Sequence, residues 1–210
     1  MMLDVRIMAC RKREAMAKEL AETLSLSKGQ ITWDDRPDGG DAMYTARKTW
    51  SHPMPEGATH RLVLQDDVIP CEGLLRICEQ IIDTYPKVIF ALTTFTYSIY
   101  AQMDPETPYY PVTTPFPACA IIFPREYIEP WIRWCDEGHY PELAVHDSHM
   151  IRLWCQEKGV PVLSTVPQLV DHRDDETLLP YVYHAVRKSP FFSQHPEGDW
   201  GNRRIKRLHI

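Results

Sequence analysis

The fold is decided by the stretch Arg61-Leu62-Val63-Leu64-Gln65-Asp66-Asp67-Val68-Ile69-Pro70. An apolar run of β-forming residues stops at two adjacent carboxylates, Asp66 and Asp67, and a proline follows. This pattern is typical of a buried strand that delivers acidic groups to the edge of a sheet. Because neighbouring carboxylates repel each other, we expect a positive partner, and a divalent cation is the common one. A strand that ends in a solvated acidic turn is the alternative.

Alternating strands and helices surround this stretch. Strands are predicted at Asp4–Cys10, Ile31–Trp33, Arg61–Leu64, Val88–Thr94, Ala118–Phe123 and Val160–Val166. Helices are predicted at Arg13–Leu26, Ala42–Ser51, Glu72–Tyr85, Arg125–Cys135 and His146–Lys158. Tyr100–Pro117 is predicted as a long loop, and Pro167–His172 is predicted to leave the sheet. The pattern predicts a single α/β domain with a mostly parallel, mixed sheet flanked by helices and a Rossmann-like first half. Such sheets bind ligands at the carboxyl ends of their strands.

The composition is that of an ordinary globular protein. Of 210 residues, 44% are hydrophobic and 25% charged, and the formal net charge of −6 predicts no general attraction to nucleic acid or membranes. Met1–Arg6 lacks the pattern of a signal peptide, and the best apolar segment, Val88–Ala101, is too short to span a bilayer. The six cysteines form no Cys-x-x-Cys pair, so we expect reduced thiols in a cytoplasmic protein.

Three motifs follow one another along residues 4–173. The first runs from Gly40 through Ala46-Arg47-Lys48 to Asp67, the second is Pro117–Ala120, and the third runs from His146 to His172. In this order they resemble the GT-A fold glycosyltransferases, in which a helix carrying Ala-Arg precedes a strand ending in a DXD-type motif. The resemblance implies a nucleotide-donor half over about residues 1–100, an acceptor half over about 101–175 and a C-terminal extension over 176–210.

The resemblance also implies a reaction and a cofactor. A sugar would move from a nucleoside diphosphate sugar, of UDP or GDP type, to an acceptor hydroxyl. The departing diphosphate gains charge, which Mn²⁺ or Mg²⁺ can stabilise. Asp67 is implied as the main metal ligand and His172 as a second, a set that suits Mn²⁺ somewhat better. Asp66 would orient the ribose or bind the metal through water.

Asp147, at the start of a predicted helix, is the candidate catalytic residue. A carboxylate there can serve as the general base for the acceptor hydroxyl in a reaction that inverts the anomeric carbon. The alternative is ordinary capping of the helix.

Further residues are candidates for nucleotide-sugar binding. Asp34 and Asp35 match the family position that holds the base or ribose, and Gln65 stands where many members carry an acidic residue that contacts the ribose. Arg47 is expected beside the acidic pair, bound to the diphosphate or to the carboxylates. A solvated turn and a surface arginine are the alternatives.

The first loop, Ala9–Arg13, is basic and lies at the same predicted sheet edge. Cys10 and Arg11 are therefore candidate phosphate contacts, with simple solvation of the loop as the alternative.

The acceptor is open between a glycan and modified DNA, for which the basic tail Asn202–His209 is a weak indication. Aromatic residues of the long loop can stack on a sugar or simply pack the loop: Tyr97, Tyr100, Tyr109, Tyr110 and Phe116. Two other functions remain open. One is a metal-dependent phosphoesterase or nuclease that also uses His146 and His149. The other is a non-catalytic nucleotide-binding protein of the same fold.

Overall fold

A computed structural model describes residues 2–36, 42–94, 109–111, 118–138, 147–173 and 188–201. Several residues named above lie outside these ranges, namely Gly40, Tyr97, Tyr100, Phe116, His146 and the tail Asn202–His209. For 109–111 the description is of the backbone alone.

The described residues form nine strands and five α-helices. The strands are β1 Met2–Cys10, β2 Ile31–Asp34, β3 Ala58–Gln65, β4 Val68–Pro70, β5 Ile89–Ala91, β6 Tyr109–Pro111, β7 Ala120–Pro124, β8 Val162–Thr165 and β9 Val170–His172. The helices are α1 Glu14–Thr23, α2 Ala42–Trp50, α3 Leu74–Thr84, α4 Arg125–Asp136 and α5 Asp147–Lys158. A 3₁₀ turn, Arg11–Arg13, joins β1 to α1, and a second one, Lys28–Gln30, precedes β2.

Seven strands form one mixed sheet in the order β2-β1-β3-β7-β5-β8-β6. β1, β2, β3, β5 and β8 run in one direction, and β7 and β6 run in the other. The predicted α/β class and the mostly parallel, mixed sheet are confirmed. The first three strands and their crossover helices make the expected Rossmann-like unit.

Helices cover both faces of this sheet because successive strand residues point to opposite sides. Leu62 and Leu64 of β3 pack with α1 and α3, whereas Val63 packs on the other side with α2, α4 and α5. On that second side, Phe123 lies among three tryptophans, with ring centroids 5.0 Å from Trp50, 6.1 Å from Trp131 and 6.0 Å from Trp154. No helix within the described residues is long and apolar enough to cross a membrane.

A fully buried arginine ties β3 to β1 and to the end of α2. Arg61 lies 2.6 Å from Asp4 in an ion pair, and it donates to the carbonyl oxygens of Thr49, Trp50 and His52 at 3.1, 2.6 and 2.7 Å. The last carbonyl groups of a helix have no N–H partner within the helix. The Arg61 guanidinium donates hydrogen bonds to carbonyl groups at the C-terminal end of α2, which lies inside the core.

The predicted elements do not include three short strands, β4, β6 and β9. The predicted loop Tyr100–Pro117 contains β6, which pairs with β8, so the loop prediction is wrong at those residues. The segment predicted to leave the sheet does so, but its end forms β9, which pairs with β4 in a separate two-stranded sheet.

Residues 188–201 also belong to the packed domain. Trp200 is fully buried on the side of α1 and α3, and Thr84 at the end of α3 donates to the carbonyl of Gly201 at 2.8 Å. The backbone N–H of Ser189 donates to Asp171 of β9 at 2.8 Å.

Candidate functional site

The acidic pair lies where the parallel strands β1 and β3 end side by side. Met8 of β1 is in register with Gln65 of β3, so the residues that follow each strand meet at one edge. There the backbone N–H of Cys10 donates to Asp66 Oδ2 at 2.7 Å. The first loop and the acidic pair are therefore in contact, as their places at one edge predicted.

The small β4–β9 sheet brings a histidine to the same place. Val68 pairs with His172, and the backbone N–H of Arg173 donates to the carbonyl of Asp67 at 2.8 Å. His172 Nε2 then lies 3.2 Å from Asp67 Oδ2, with both side chains buried.

The ring orientation of His172 is fixed by its own neighbour. His172 Nδ1 is hydrogen-bonded to the carbonyl oxygen of Arg173, which can only accept, so Nδ1 carries a hydrogen. Nε2 is thereby directed at Asp67. In histidines that bind metals, one ring nitrogen usually donates to a backbone carbonyl and the other faces the metal. In His172 the second nitrogen faces Asp67 Oδ2, and a cation bound by both residues would take the place of that contact.

Arg13, at the end of the 3₁₀ turn, supplies a positive charge to both carboxylates. Its Nη1 contacts Asp67 Oδ2 and lies 3.5 Å from Asp66 Oδ1. Its side chain is only 11% exposed, whereas Arg11 and Lys12 of the same turn are exposed. Sequence reasoning selected Cys10 and Arg11 from this loop and missed Arg13, although the need for a positive partner and the basic loop were both visible.

The two carboxyl groups have different electrostatic environments. Burial raises the pKa of Asp66 to about 6, against the opposing effects of the Cys10 N–H and Arg13. Burial acts in the same direction on Asp67, but hydrogen bonding and the charges of His172 and Arg13 outweigh it, so the pKa of Asp67 is lowered. Asp67 is therefore ionised to lower pH than Asp66, and both carboxyl groups are largely ionised at neutral pH. Its Oδ1 is buried and accepts no hydrogen bond from the described residues.

These residues fit a divalent cation that shares its coordination with a substrate. Asp67 Oδ1 lacks a hydrogen-bond partner within the described part of the chain, and His172 Nε2 lies 3.2 Å from the other oxygen of the same carboxylate, Oδ2. Mg²⁺ and Mn²⁺ are commonly held by one or two carboxylates together with phosphate oxygens. A metal site in which the protein supplies all the ligands would need more side chains. Within the described ranges, no three His, Cys, Asp or Glu side chains lie close enough together to form such a site.

Asp147 begins α5 at the same edge of the sheet. The helix leads into β8, which runs parallel to β5, so α5 starts at the carboxyl edge and ends at the other. The Asp147 carboxylate accepts the N–H of Ser148 at 2.8 Å, and burial raises its pKa to about 7. The hydrogen bond agrees with a residue that starts a helix, and the raised pKa is a property found in general bases.

Asp34 and Asp35 lie at the end of β2 and already have partners. Asp34 binds Arg36, with Nη2 at 2.9 Å and the backbone N–H at 3.2 Å, and these bonds lower the pKa of Asp34 although the residue is buried. Asp35 accepts from Lys48 at 2.8 Å and from the Tyr44 hydroxyl at 3.0 Å. Since β2 neighbours β1, the two aspartates lie at the same edge of the sheet as the acidic pair. The hydrogen bonds described above do not join them to Asp66 or Asp67.

The remaining candidates are placed differently. Arg47 forms an ion pair with Asp136 of α4, so the expected pairing with Asp66 or Asp67 is not made. Arg11 stacks its guanidinium 4.3 Å from the centre of the Trp33 ring. The backbone N–H of Gln65 donates to the carbonyl of Cys119 at 2.7 Å, and the residue is partly exposed.

The fold and this cluster define an α/β domain with an acidic pair, a histidine and an arginine at the carboxyl edge of its parallel strands. No protein-family model matches the chain, and no curated protein matches it. One similar solved structure is the inositol-1-phosphate CTP transferase from T. maritima, with a TM-score of 0.38 and 7% sequence identity. The match covers 77% of this chain and 66% of that one, just under two thirds. At this level of similarity the likeness carries no argument about function, which depends on the site itself.

Proposed function

We propose that the protein is a glycosyltransferase that uses a nucleoside diphosphate sugar, of UDP or GDP type, with Mn²⁺ or Mg²⁺. The observation that carries the proposal is the convergence of Asp67 and His172 at the carboxyl edge of parallel strands, with Asp67 Oδ1 buried and lacking a hydrogen bond from the described residues. Open α/β sheets bind nucleotides at this edge.

Asp67 and His172 would hold the cation, which when bound neutralises the charge that develops on the departing diphosphate. Asp66 has a different role, because its pKa of about 6 and its bond from the Cys10 N–H make it a hydrogen-bonding group rather than a strong ligand. We assign it to the nucleotide ribose.

Asp147 would be the general base. With a pKa of about 7 it is a stronger base than an ordinary carboxylate and is still partly ionised at neutral pH. It would take the proton of the acceptor hydroxyl as that oxygen attacks the anomeric carbon and the bond to the diphosphate breaks. This role applies to a reaction with inversion.

Thermal unfolding tests the donor site. We expect a UDP- or GDP-type nucleotide with Mn²⁺ to raise the melting temperature by about 5–11 °C, because a ligand at about 100 times its Kd stabilises the folded state by about 2.7 kcal/mol. Asp67→Asn should abolish the rise.

Asp171→Asn is the matched control. Asp171 precedes His172 in β9 but is bonded to Ser189 and Lys188, so this variant should keep the response. The donor proposal is wrong if no nucleoside diphosphate with metal stabilises the wild type. A positive result would be followed by a screen of nucleotide sugars for metal-dependent donor hydrolysis and by mass spectrometry of glycan and DNA acceptors.

A further inference from the structure

We infer that Arg13 is the built-in counter-ion of the acidic pair, which a divalent cation must displace from Asp67 in order to bind. The inference rests on the proposed function only in placing a cation at Asp67 and His172. It makes Arg13 a residue that sets the affinity of the site for the cation.

Three buried charges carry the inference. Arg13 touches both carboxylates, and the side chains of Arg13, Asp66 and Asp67 are 11%, 7% and 3% exposed. Adjacent buried carboxylates repel each other and are poorly solvated, so without a cation the folded chain needs a positive charge between them. The guanidinium provides it.

The contacts of one oxygen atom make the cation and Arg13 competitors. Arg13 Nη1 binds Asp67 Oδ2, and His172 Nε2 lies 3.2 Å from the same oxygen. Whichever oxygen of the Asp67 carboxylate it takes, a cation held by Asp67 and His172 would therefore lie next to the guanidinium. In a buried setting, like charges at such short range repel strongly. The cation gains its full attraction to Asp67 only after Arg13 has moved away.

Removing the positive charge should therefore improve cation binding. Mn²⁺ alone, without nucleotide, is titrated into the wild type and Arg13→Gln at low salt, and free Mn²⁺ is measured by electron paramagnetic resonance. We expect Arg13→Gln to bind Mn²⁺ at least about tenfold more tightly, a difference that 1.4 kcal/mol would produce. An equal or weaker affinity overturns the inference.

Lys12→Gln is the matched control. It makes the same charge change in the same turn, on an exposed side chain, so it reports the general effect of removing one positive charge from this surface. Its Mn²⁺ affinity should stay within about twofold of the wild type, because exposed charges are screened. If it gains as much as Arg13→Gln, the effect is not local and the inference falls.

A second pair of variants covers the case in which Arg13→Gln fails to fold. Asp66→Asn removes one carboxylate and leaves Arg13 on Asp67, and Asp66→Asn with Arg13→Gln also removes the counter-ion. The double variant should bind Mn²⁺ about tenfold more tightly than Asp66→Asn, and equal affinities contradict the inference.

Failure of the inference and failure of the donor proposal give different results. A gain of Mn²⁺ affinity in Arg13→Gln together with no nucleotide response in the wild type supports the counter-ion and refutes the donor. If the wild type responds to nucleotide but Arg13→Gln binds Mn²⁺ no more tightly than the wild type, the donor proposal is supported and the counter-ion inference is refuted.

Discussion

His172 Nε2 lies 3.2 Å from Asp67 Oδ2 because two three-residue strands, β4 and β9, pair outside the main sheet. The ladder sets Val68 opposite His172 and leaves Asp67, the residue before β4, beside the ring. The carboxylate comes from the first half of the chain and the imidazole from the second. The candidate site is thus a product of tertiary pairing rather than of either motif alone.

Asp147→Asn should keep nucleotide binding and lose transfer. An amide cannot accept the acceptor proton, so we expect the transfer rate to fall about 10²–10⁴-fold. In the wild type, kcat/KM should rise with pH and level off above about 7, where the base of the free enzyme is ionised. Steady-state kinetics over pH 5–9 and the thermal shift with nucleotide and Mn²⁺ are the measurements. Transfer at nearly the wild-type rate would make Asp147 a helix cap only.

The same carboxyl group should make stability depend on pH. Its pKa is raised from 3.8 to about 7, so between these values the folded chain holds a proton that the unfolded chain has released. The stabilisation is complete at low pH and is lost as the pH rises through about 7. Asp147→Asn lacks this loss, so its free energy of unfolding should exceed that of the wild type by about 2–4 kcal/mol at pH 8 and approach it near pH 4.

Urea denaturation at several pH values checks this expectation. Glu129→Gln, at a side chain that is 83% exposed, is the control and should follow the wild-type curve. If the free energies of unfolding of Asp147→Asn and the wild type change in parallel between pH 4 and pH 8, the buried carboxyl group does not titrate in that range.

Arg61→Met should be strongly destabilising. It leaves Asp4 buried near Arg6 without its main partner and exposes the carbonyls of Thr49, Trp50 and His52 to an apolar side chain. We expect a loss of about 3–5 kcal/mol in the free energy of unfolding. In a cycle with Asp4→Asn, the two changes should be less than additive, because each removes the same ion pair. If the two losses in the free energy of unfolding are fully additive, the ion pair with Asp4 contributes nothing measurable and Arg61 acts only through the carbonyl groups at the end of α2.

Trp200→Ala tests whether residues 188–201 are part of the domain. The indole is fully buried in the core on the side of the sheet that α1 and α3 cover, so its removal should cost about 3–5 kcal/mol. His195→Ala, in the same segment, removes a side chain that is 74% exposed and should change the free energy by less than about 1 kcal/mol. Similar small losses for both variants would mean that the segment packs weakly.

The sequence predicted the long elements well because their signals lie within one segment. The apolar positions Leu74, Ile77, Cys78, Ile81 and Ile82, three and four residues apart, are the buried face of α3. The strands β4, β6 and β9 were not predicted because each has only three residues and includes a proline or a charged side chain, whereas β5, equally short, lies within the apolar run Val88–Leu92. They are strands only because a partner, such as Val170 for Pro70, lies beside them.

The sequence located the candidate residues near one sheet edge but did not predict the contacts between them. The end of a strand places Asp66 and Asp67 at a sheet edge, which the sequence shows directly. Which basic side chain contacts these carboxylates depends on how the 3₁₀ turn orients its three basic residues. Only Arg13 points inward. Arg47 shows the opposite case, since the helix was predicted correctly but its arginine faces Asp136 of α4.

The late position of β9 in the chain has a consequence for folding. Asp67 is synthesised and can join β3 well before His172 and the N–H of Arg173 exist to meet it. Until β9 pairs with β4, the acidic pair has Arg13 as its charged partner but lacks the imidazole. On the proposed function, a nascent chain that ends before residue 170 would therefore lack the imidazole ligand and should bind Mn²⁺ more weakly than the full chain.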